Sequence, residues 1–141
     1  TNDLGRVLSN DAVVWRMQTI IYYLAPSVRR SGETALWSFT WPTYDGSASS
    51  VELVTGIERM RVTFGVDTDG DFAADRQQAA WQVADWTQVV SARVDLLLAG
   101  NAANTATQPQ PYVWGDSTIV PTDKKLRTTM SFAVSLRNAV P

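Results

Sequence analysis

Apolar and polar side chains alternate along several separate segments of this chain, and that period of two constrains the fold more than any other feature. Residues 35–41, 58–64, 90–98 and 125–137 all follow the pattern. Successive side chains of a strand point to opposite faces of a sheet, whereas helical side chains repeat every 3.6 residues. Turn-forming residues separate these segments. The 141-residue chain is therefore predicted to be mainly β, a single antiparallel domain of six or seven strands spanning residues 1–141.

Residues 90–98 show the clearest alternation. Their apolar side chains are predicted to share one face of the strand, and the intervening polar ones to share the other. The apolar set is Val90, Ala92, Val94, Leu96 and Leu98, and the polar set is Ser91, Arg93 and Asp95. The same argument predicts inward-facing side chains at Met60, Val62 and Phe64, and at Leu126, Met130, Phe132, Val134 and Leu136.

Other segments give weaker patterns. β-Branched and aromatic residues predict strands at 12–17 and 19–24. Residues 51–55 and 112–114 are expected to add short extended pieces. Enrichment in Ala and Gln favours a short helix or turn within residues 79–85.

The composition disfavours several classes of function. The chain has no histidine and no cysteine, which removes the most usual general base and the usual zinc ligands. We therefore expect a protein that is not an enzyme. A net charge of −2 provides no basic surface for nucleic acid. No apolar run approaches the roughly 18 residues that a membrane helix needs.

Four aspartates lie close together in the segment GVDTDGDFAADR, residues 65–76. They are Asp67, Asp69, Asp71 and Asp75. Their spacing matches positions 1, 3, 5 and 9 of a calcium-binding loop, in which carboxylate oxygens converge on a hard cation. Phe72 stands where such a loop has glycine, and Gln78 stands where it has a bidentate glutamate. The sequence also predicts no helix before this loop, so an EF-hand is not expected.

A second interpretation of the acidic segment stays open. Asp and Gly are common in exposed turns, because Asp side chains accept hydrogen bonds from nearby backbone and Gly adopts positive φ. Calcium is thus the candidate ligand at these four residues, and a solvated acidic turn is the alternative. The six tryptophans could form a sugar-binding platform, but Trp37 and Trp41 on one strand face are more typical of a core or an interface.

Five segments, in the same order, resemble the PilW-type minor pilins of the type IV pilus. They cover residues 20–27 (IIYYLAPS), 31–37 (SGETALW), 52–76 (ELVTGIERMRVTFGVDTDGDFAADR), 85–100 (DWTQVVSARVDLLLAG) and 123–141 (DKKLRTTMSFAVSLRNAVP). The most distinctive piece is the GVDTDGD loop after its strand. The similarity extends over most of the chain from about residue 19 onward.

The resemblance implies a pilin-like head related to the J-type minor pseudopilin of type II secretion. Such proteins carry an N-terminal apolar helix that anchors them in the membrane and packs them into the filament. This chain lacks that segment, so membrane attachment is expected only through a missing helix. The expected partners are other minor pilins and the pilus assembly machinery. The expected location is the periplasmic face of the inner membrane and the pilus tip of a Gram-negative bacterium. The alternative is an extracellular calcium-dependent adhesin or ligand-binding β-module.

Overall fold

The computed structural model describes residues 17–43, 45–102 and 105–136. Within those ranges the regular structure consists of nine strands and two single-turn 3₁₀ helices. The strands are β1 (Thr19–Pro26), β2 (Thr34–Trp41), β3 (Ser49–Thr55), β4 (Ile57–Val66), β5 (Arg76–Gln78), β6 (Val89–Ala99), β7 (Tyr112–Trp114), β8 (Ser117–Ile119) and β9 (Arg127–Ser135). None of the helices described there has the length and apolar character needed to cross a membrane. The prediction of a mainly β fold is confirmed.

The strands form two sheets and a separate hairpin. The first sheet has the order β1-β2-β3, and the second has the order β5-β4-β6-β9. Strands β7 and β8 pair only with each other. Every pairing is antiparallel, as expected for a fold built from strands joined by turns.

Gly56 joins the two sheets. It has φ +81° and stands between the last residue of β3 and the first residue of β4. Its N–H donates to the carbonyl of Thr34 at 2.9 Å, and its carbonyl accepts from the N–H of Ala99 at 2.8 Å. A Cβ at this position would lie 2.8 Å from the Ala99 carbonyl oxygen. Glycine is required here because both the positive φ and the close approach exclude a side chain.

The register of the second sheet brings its apolar side chains onto one surface. Three sets of paired residues, each with one residue from β4, one from β6 and one from β9, make up this surface. We call their nine residues the apolar face. The sets are Met60–Leu96–Met130, Val62–Val94–Phe132 and Phe64–Ala92–Val134. The alternation in the sequence therefore identified which side chains share a face.

The prediction that the β9 side chains point into a core is wrong. Met130, Phe132 and Val134 are 53%, 46% and 53% exposed, whereas Leu96 in the central strand is only 9% exposed. Nothing in the described part of the chain covers the β9 side of the apolar face. The alternation indicated the correct face, but it carried no information about whether another element would cover it.

Asp95 belongs to the polar face predicted for residues 90–98, yet it is only 4% exposed. The hairpin β7–β8 reaches over this side of the sheet, where the Arg61 guanidinium lies 5.7 Å from the centre of the Trp114 ring. The Asp95 carboxylate accepts hydrogen bonds from Arg61, Arg93 and the Ser131 hydroxyl, at 2.6, 2.9 and 2.6 Å. A buried carboxylate is tolerated when its oxygens are satisfied in this way.

The structure also bears on the segments with weaker sequence patterns. The strand predicted at residues 19–24 is β1, and the one predicted at 12–17 lies almost wholly outside the described residues. The helix or turn expected within residues 79–85 is a 3₁₀ turn at Ala80–Gln82, followed by a second one at Trp86–Gln88. The sequence predicted six or seven strands because the short strands β5 and β8 carry too few residues to show a period.

We predict that Asp95 makes protein stability fall at low pH. Burial tends to raise the pKa of Asp95, but its hydrogen bonds to Ser131, Arg61 and Arg93 outweigh burial and lower the pKa from 3.8 to about 2. A carboxyl with a depressed folded-state pKa stabilises the protein above its unfolded pKa and loses that effect as pH falls. The contribution is about 2 kcal/mol and is lost between about pH 4 and pH 2.

The measurement is urea unfolding of wild type and Asp95→Asn from pH 5.5 to pH 2.5. The difference in unfolding free energy between the two proteins should shrink as the pH falls. A difference that stays constant over this range would contradict the assignment.

Candidate functional site

The acidic loop begins where β4 ends and runs to the start of β5. Its first residue, Asp67, is anchored by its N–H, which donates to the carbonyl of Gln88 at 2.9 Å. At the other end, the N–H of Asp75 donates to the carbonyl of Val66 at 3.0 Å. The loop is thus closed at its base by backbone hydrogen bonds and projects from one end of the second sheet.

Asp67 organises the interior of this loop. It is 6% exposed, and both of its carboxylate oxygens accept backbone hydrogen bonds. Oδ1 accepts from the N–H groups of Asp69 and Gly70 at 3.1 and 2.7 Å. Oδ2 accepts from the N–H of Phe72 at 2.8 Å. The Asp67 side chain therefore fixes the path of five residues of backbone.

Three of the four predicted aspartates come together. Carboxylate oxygens of Asp67, Asp69 and Asp71 all lie within 4.8 Å of one another. Asp75 is not in this group, because its Oδ2 accepts from the N–H and the hydroxyl of Thr68 at 2.7 and 2.5 Å. The spacing in the sequence suggested one set of four ligands, whereas the loop divides them into a cluster of three and a separate turn contact.

The backbone of the loop adopts the left-handed conformation, with positive φ, at two positions. Gly70 has φ +84° and Phe72 has φ +66°. Phe72 occupies the position at which a calcium-binding loop has glycine. The structure shows that Phe72 adopts the left-handed backbone that glycine would adopt there, which is unfavourable for a bulky side chain. Gln78, at the position of the bidentate glutamate, lies in β5.

Hydrogen bonds and neighbouring charges shift the pKa values of the loop aspartates in different directions. The N–H of Gly70 leads the interactions that lower the pKa of Asp67. The Thr68 hydroxyl and N–H lower the pKa of Asp75. At Asp69 a hydrogen bond from the N–H of Asp71 lowers the pKa, but the negative charges of Asp71 and Asp75 reverse the effect, and the net shift is upward. Electrostatic repulsion from neighbouring carboxylates therefore acts on Asp69.

A second candidate site is the exposed side of the sheet at β9. This strand is the last in the sheet order β5-β4-β6-β9, so one of its edges has no neighbouring strand among the described residues. All residues of β9 after Arg127 are exposed. The strand contains no proline, lysine or bulge that would discourage pairing with another strand. The exposed β9 side chains and this free edge together form what we call the β9 surface.

Sequence reasoning missed one ionic cluster at the base of β9. The Arg127 side chain, only 6% exposed, donates to the carboxylates of Glu58 and Asp123, with the shortest distance to each being 2.7 Å. Its guanidinium also lies 5.6 Å from the centre of the Tyr112 ring. The hydrogen bonds that Arg127 donates to Asp123 and Glu58 raise the pKa of Arg127 further above its already high ordinary value. Glu58 and Arg127 are 69 residues apart, so no local pattern could have indicated the pair.

Comparison with known families identifies the chain. The profile of the PilW family, described as type IV pilus-assembly protein W, matches residues 21–138. The chain belongs to the PilW family. The resemblance stated from the sequence is thereby confirmed. PilW membership associates the chain with type IV pilus assembly, its machinery and the cell envelope. No curated protein and no solved structure matches it.

We predict that Asp67 stabilises the loop mainly as a hydrogen-bond acceptor. Asp67→Ala leaves the N–H groups of Asp69, Gly70 and Phe72 without their acceptor and should lower the thermal midpoint by about 5 °C. Asp67→Asn retains one oxygen and should cause a smaller loss. Thermal unfolding in a chelator, which removes any contribution from cations, measures both effects. Equal midpoints for the wild type and Asp67→Ala would contradict this role.

Proposed function

We propose that this chain is a non-enzymatic minor pilin subunit whose head takes part in the priming or tip complex of the type IV pilus. It would do so by protein–protein contact, with other minor pilins as its neighbours. The proposed location is the periplasmic face of the inner membrane during assembly and the pilus tip afterwards. The observation that carries the proposal is the β9 surface on a member of a pilus-assembly family.

The exposed apolar side chains support a contact role. Val62 is 37% exposed, and three β9 side chains on the same face are about half exposed. Exposure of apolar side chains to water is unfavourable. Their burial against a partner contributes about 25 cal/mol for each Å² of apolar area. Contiguous exposed apolar surface on a folded protein commonly marks an interaction site.

The free edge of β9 supports a particular mode of contact. An edge strand presents backbone donors and acceptors that a strand from another subunit can use, while alternate side chains provide specificity. An incoming strand would meet Met130, Phe132 and Val134 on one face of the sheet and Thr129, Ser131 and Ala133 on the other. We expect the contacting strand of the partner to be amphipathic with the same period of two.

The cluster at Asp67, Asp69 and Asp71 supports a second proposal, that the loop binds calcium. Three carboxylates with oxygens within 4.8 Å of one another repel unless a cation or protons compensate them. Asp67 already accepts three backbone hydrogen bonds, which leaves little of its coordinating capacity for an ion. A weak site is therefore expected, with a Kd of about 0.1–1 mM, as in extracellular modules.

We predict that a charge placed on the β9 surface disrupts pilin binding. Phe132→Lys should weaken binding to the other minor pilins of the same bacterium by about tenfold or more, since it places a charge at the centre of the apolar contact. Biolayer interferometry against each purified minor pilin measures the change. The fold should remain intact, because Phe132 is 46% exposed.

Val113→Lys provides the matched control, since Val113 is 61% exposed but lies on the separate hairpin strand β7. It should bind as the wild type does. Unchanged binding of Phe132→Lys, or equal losses in both variants, would count against the β9 surface. Turnover of a substrate by the purified chain would refute the non-enzymatic assignment.

We predict that calcium binding depends on Asp69. Isothermal titration with millimolar calcium should give heat with the wild type and none with Asp69→Ala, because Asp69 belongs to the cluster and its Oδ1 accepts only one loop hydrogen bond. Asp116→Ala, which removes an acidic residue outside the loop, should bind calcium normally. Equal heats for wild type and Asp69→Ala would mean that this segment is a solvated acidic turn and not a calcium site.

A further inference from the structure

The strongest unassigned feature is a surface cleft of about 490 Å³ on the hairpin side of the second sheet. It lies on the side opposite to the apolar face, where β4, β5, β6, the Ala80–Gln82 turn and the β7–β8 connection meet. Its lining includes Arg61, Gln77, Trp81, Gln82, Arg93 and Asp116. The cleft falls within the size range of small-molecule sites.

Trp81 is the most unusual member of this set. It is 87% exposed, on a single 3₁₀ turn beside the cleft. Tryptophan has the largest side chain, and leaving it in water forgoes the stabilisation that its burial would provide. The indole thus offers a flat apolar surface next to polar groups, and nothing in the described residues covers it.

The two arginines are held in place before any ligand arrives. Asp95 accepts from both guanidinium groups, at 2.6 Å from Arg61 and 2.9 Å from Arg93. Arg61 also lies against the Trp114 ring, 5.7 Å from its centre. Fixing these planar groups in the free protein reduces the entropy lost when a ligand binds.

Hydrogen-bonding capacity remains after these internal contacts. Arg61 uses Nε and Nη2, and Arg93 uses Nε and Nη2, so each keeps its Nη1 donors without a partner among the described residues. The carboxylate of Asp116 likewise has no hydrogen-bond partner in the described part of the chain. The cleft therefore presents both planar donors and an acceptor.

The balance of charge indicates the class of ligand. Two arginines face two aspartates, Asp95 and Asp116, so the formal charges of the lining residues cancel. An anionic ligand would gain little from such a site, and an apolar ligand would leave the polar groups unpaired. A neutral molecule with many hydroxyl groups satisfies donors and acceptors together, and its less polar ring face can lie against an indole.

We propose that this cleft binds a neutral oligosaccharide, with Trp81 as the stacking surface and Arg61, Arg93 and Asp116 as hydrogen-bonding groups. This activity is separate from the proposed pilin contacts, because it uses the opposite face of the sheet. A subunit could hold its pilin neighbours at the β9 surface and a surface glycan in the cleft at the same time.

The test is binding of the whole chain to a panel of immobilised neutral tetrasaccharides and sialylated trisaccharides. We expect binding to at least one neutral tetrasaccharide, with affinity about tenfold lower for Trp81→Ala and also reduced for Asp116→Ala. Trp41→Ala is the matched control, since it removes an indole that is 54% exposed but does not line the cleft. That variant should bind the same sugars as the wild type does.

Each other outcome overturns the proposal. Binding to no neutral sugar, or binding that Trp81→Ala leaves unchanged, eliminates the site. Binding restricted to sialylated sugars contradicts the neutral class. Phe132→Lys should retain sugar binding and Trp81→Ala should retain pilin binding, so failure of either proposal is distinguishable from failure of the other. Urea unfolding midpoints of all variants, expected to match the wild type because the altered side chains are exposed, verify folding.

Discussion

The organisation of the second sheet depends on one buried carboxylate. Asp95 accepts hydrogen bonds from Arg61 on β4, Arg93 on β6 and Ser131 on β9, and so connects the three adjacent strands through side chains as well as backbone. Removing such a group from water is costly, and these donors offset that cost. The same bonds orient the two arginines, so a single interaction both stabilises the sheet and shapes the cleft beside the hairpin.

The two faces of this sheet consequently differ in character. On one face, Arg61 and Arg127 lie against Trp114 and Tyr112 of the hairpin strand β7. On the other face, apolar side chains remain exposed towards the free edge at β9. A sheet with one face contacted by a hairpin and the other face exposing apolar side chains is suited to assembly. Burial of the exposed side chains by a neighbouring subunit would stabilise the complex. Membership of a pilus-assembly family gives that property a biological context.

The acidic loop combines two roles that its sequence could not separate. Asp67 and Asp75 act on the protein's own backbone, through Gly70, Phe72 and Thr68, whereas Asp69 has a raised pKa because of its neighbours' charges. These internal hydrogen bonds order the backbone of the loop. The proposed ion would bind a cluster that these hydrogen bonds already hold together, which is consistent with weak and reversible binding.

Alternation by itself determined the strand-rich class, the positions of the longer strands and the membership of the apolar face, because these properties follow from a period of two along a short stretch. The spacing of the four aspartates, with glycine between them, placed them in one loop. Only the tertiary structure decided that Asp95 accepts hydrogen bonds from Arg61 and Ser131, that Arg127 pairs with Glu58 and that Asp75 bonds Thr68 and not the other carboxylates. The last contact spans seven residues, and the other two join strands distant in the chain. The burial and partner of a side chain depend on what the fold places above it, and that information is absent from the local pattern.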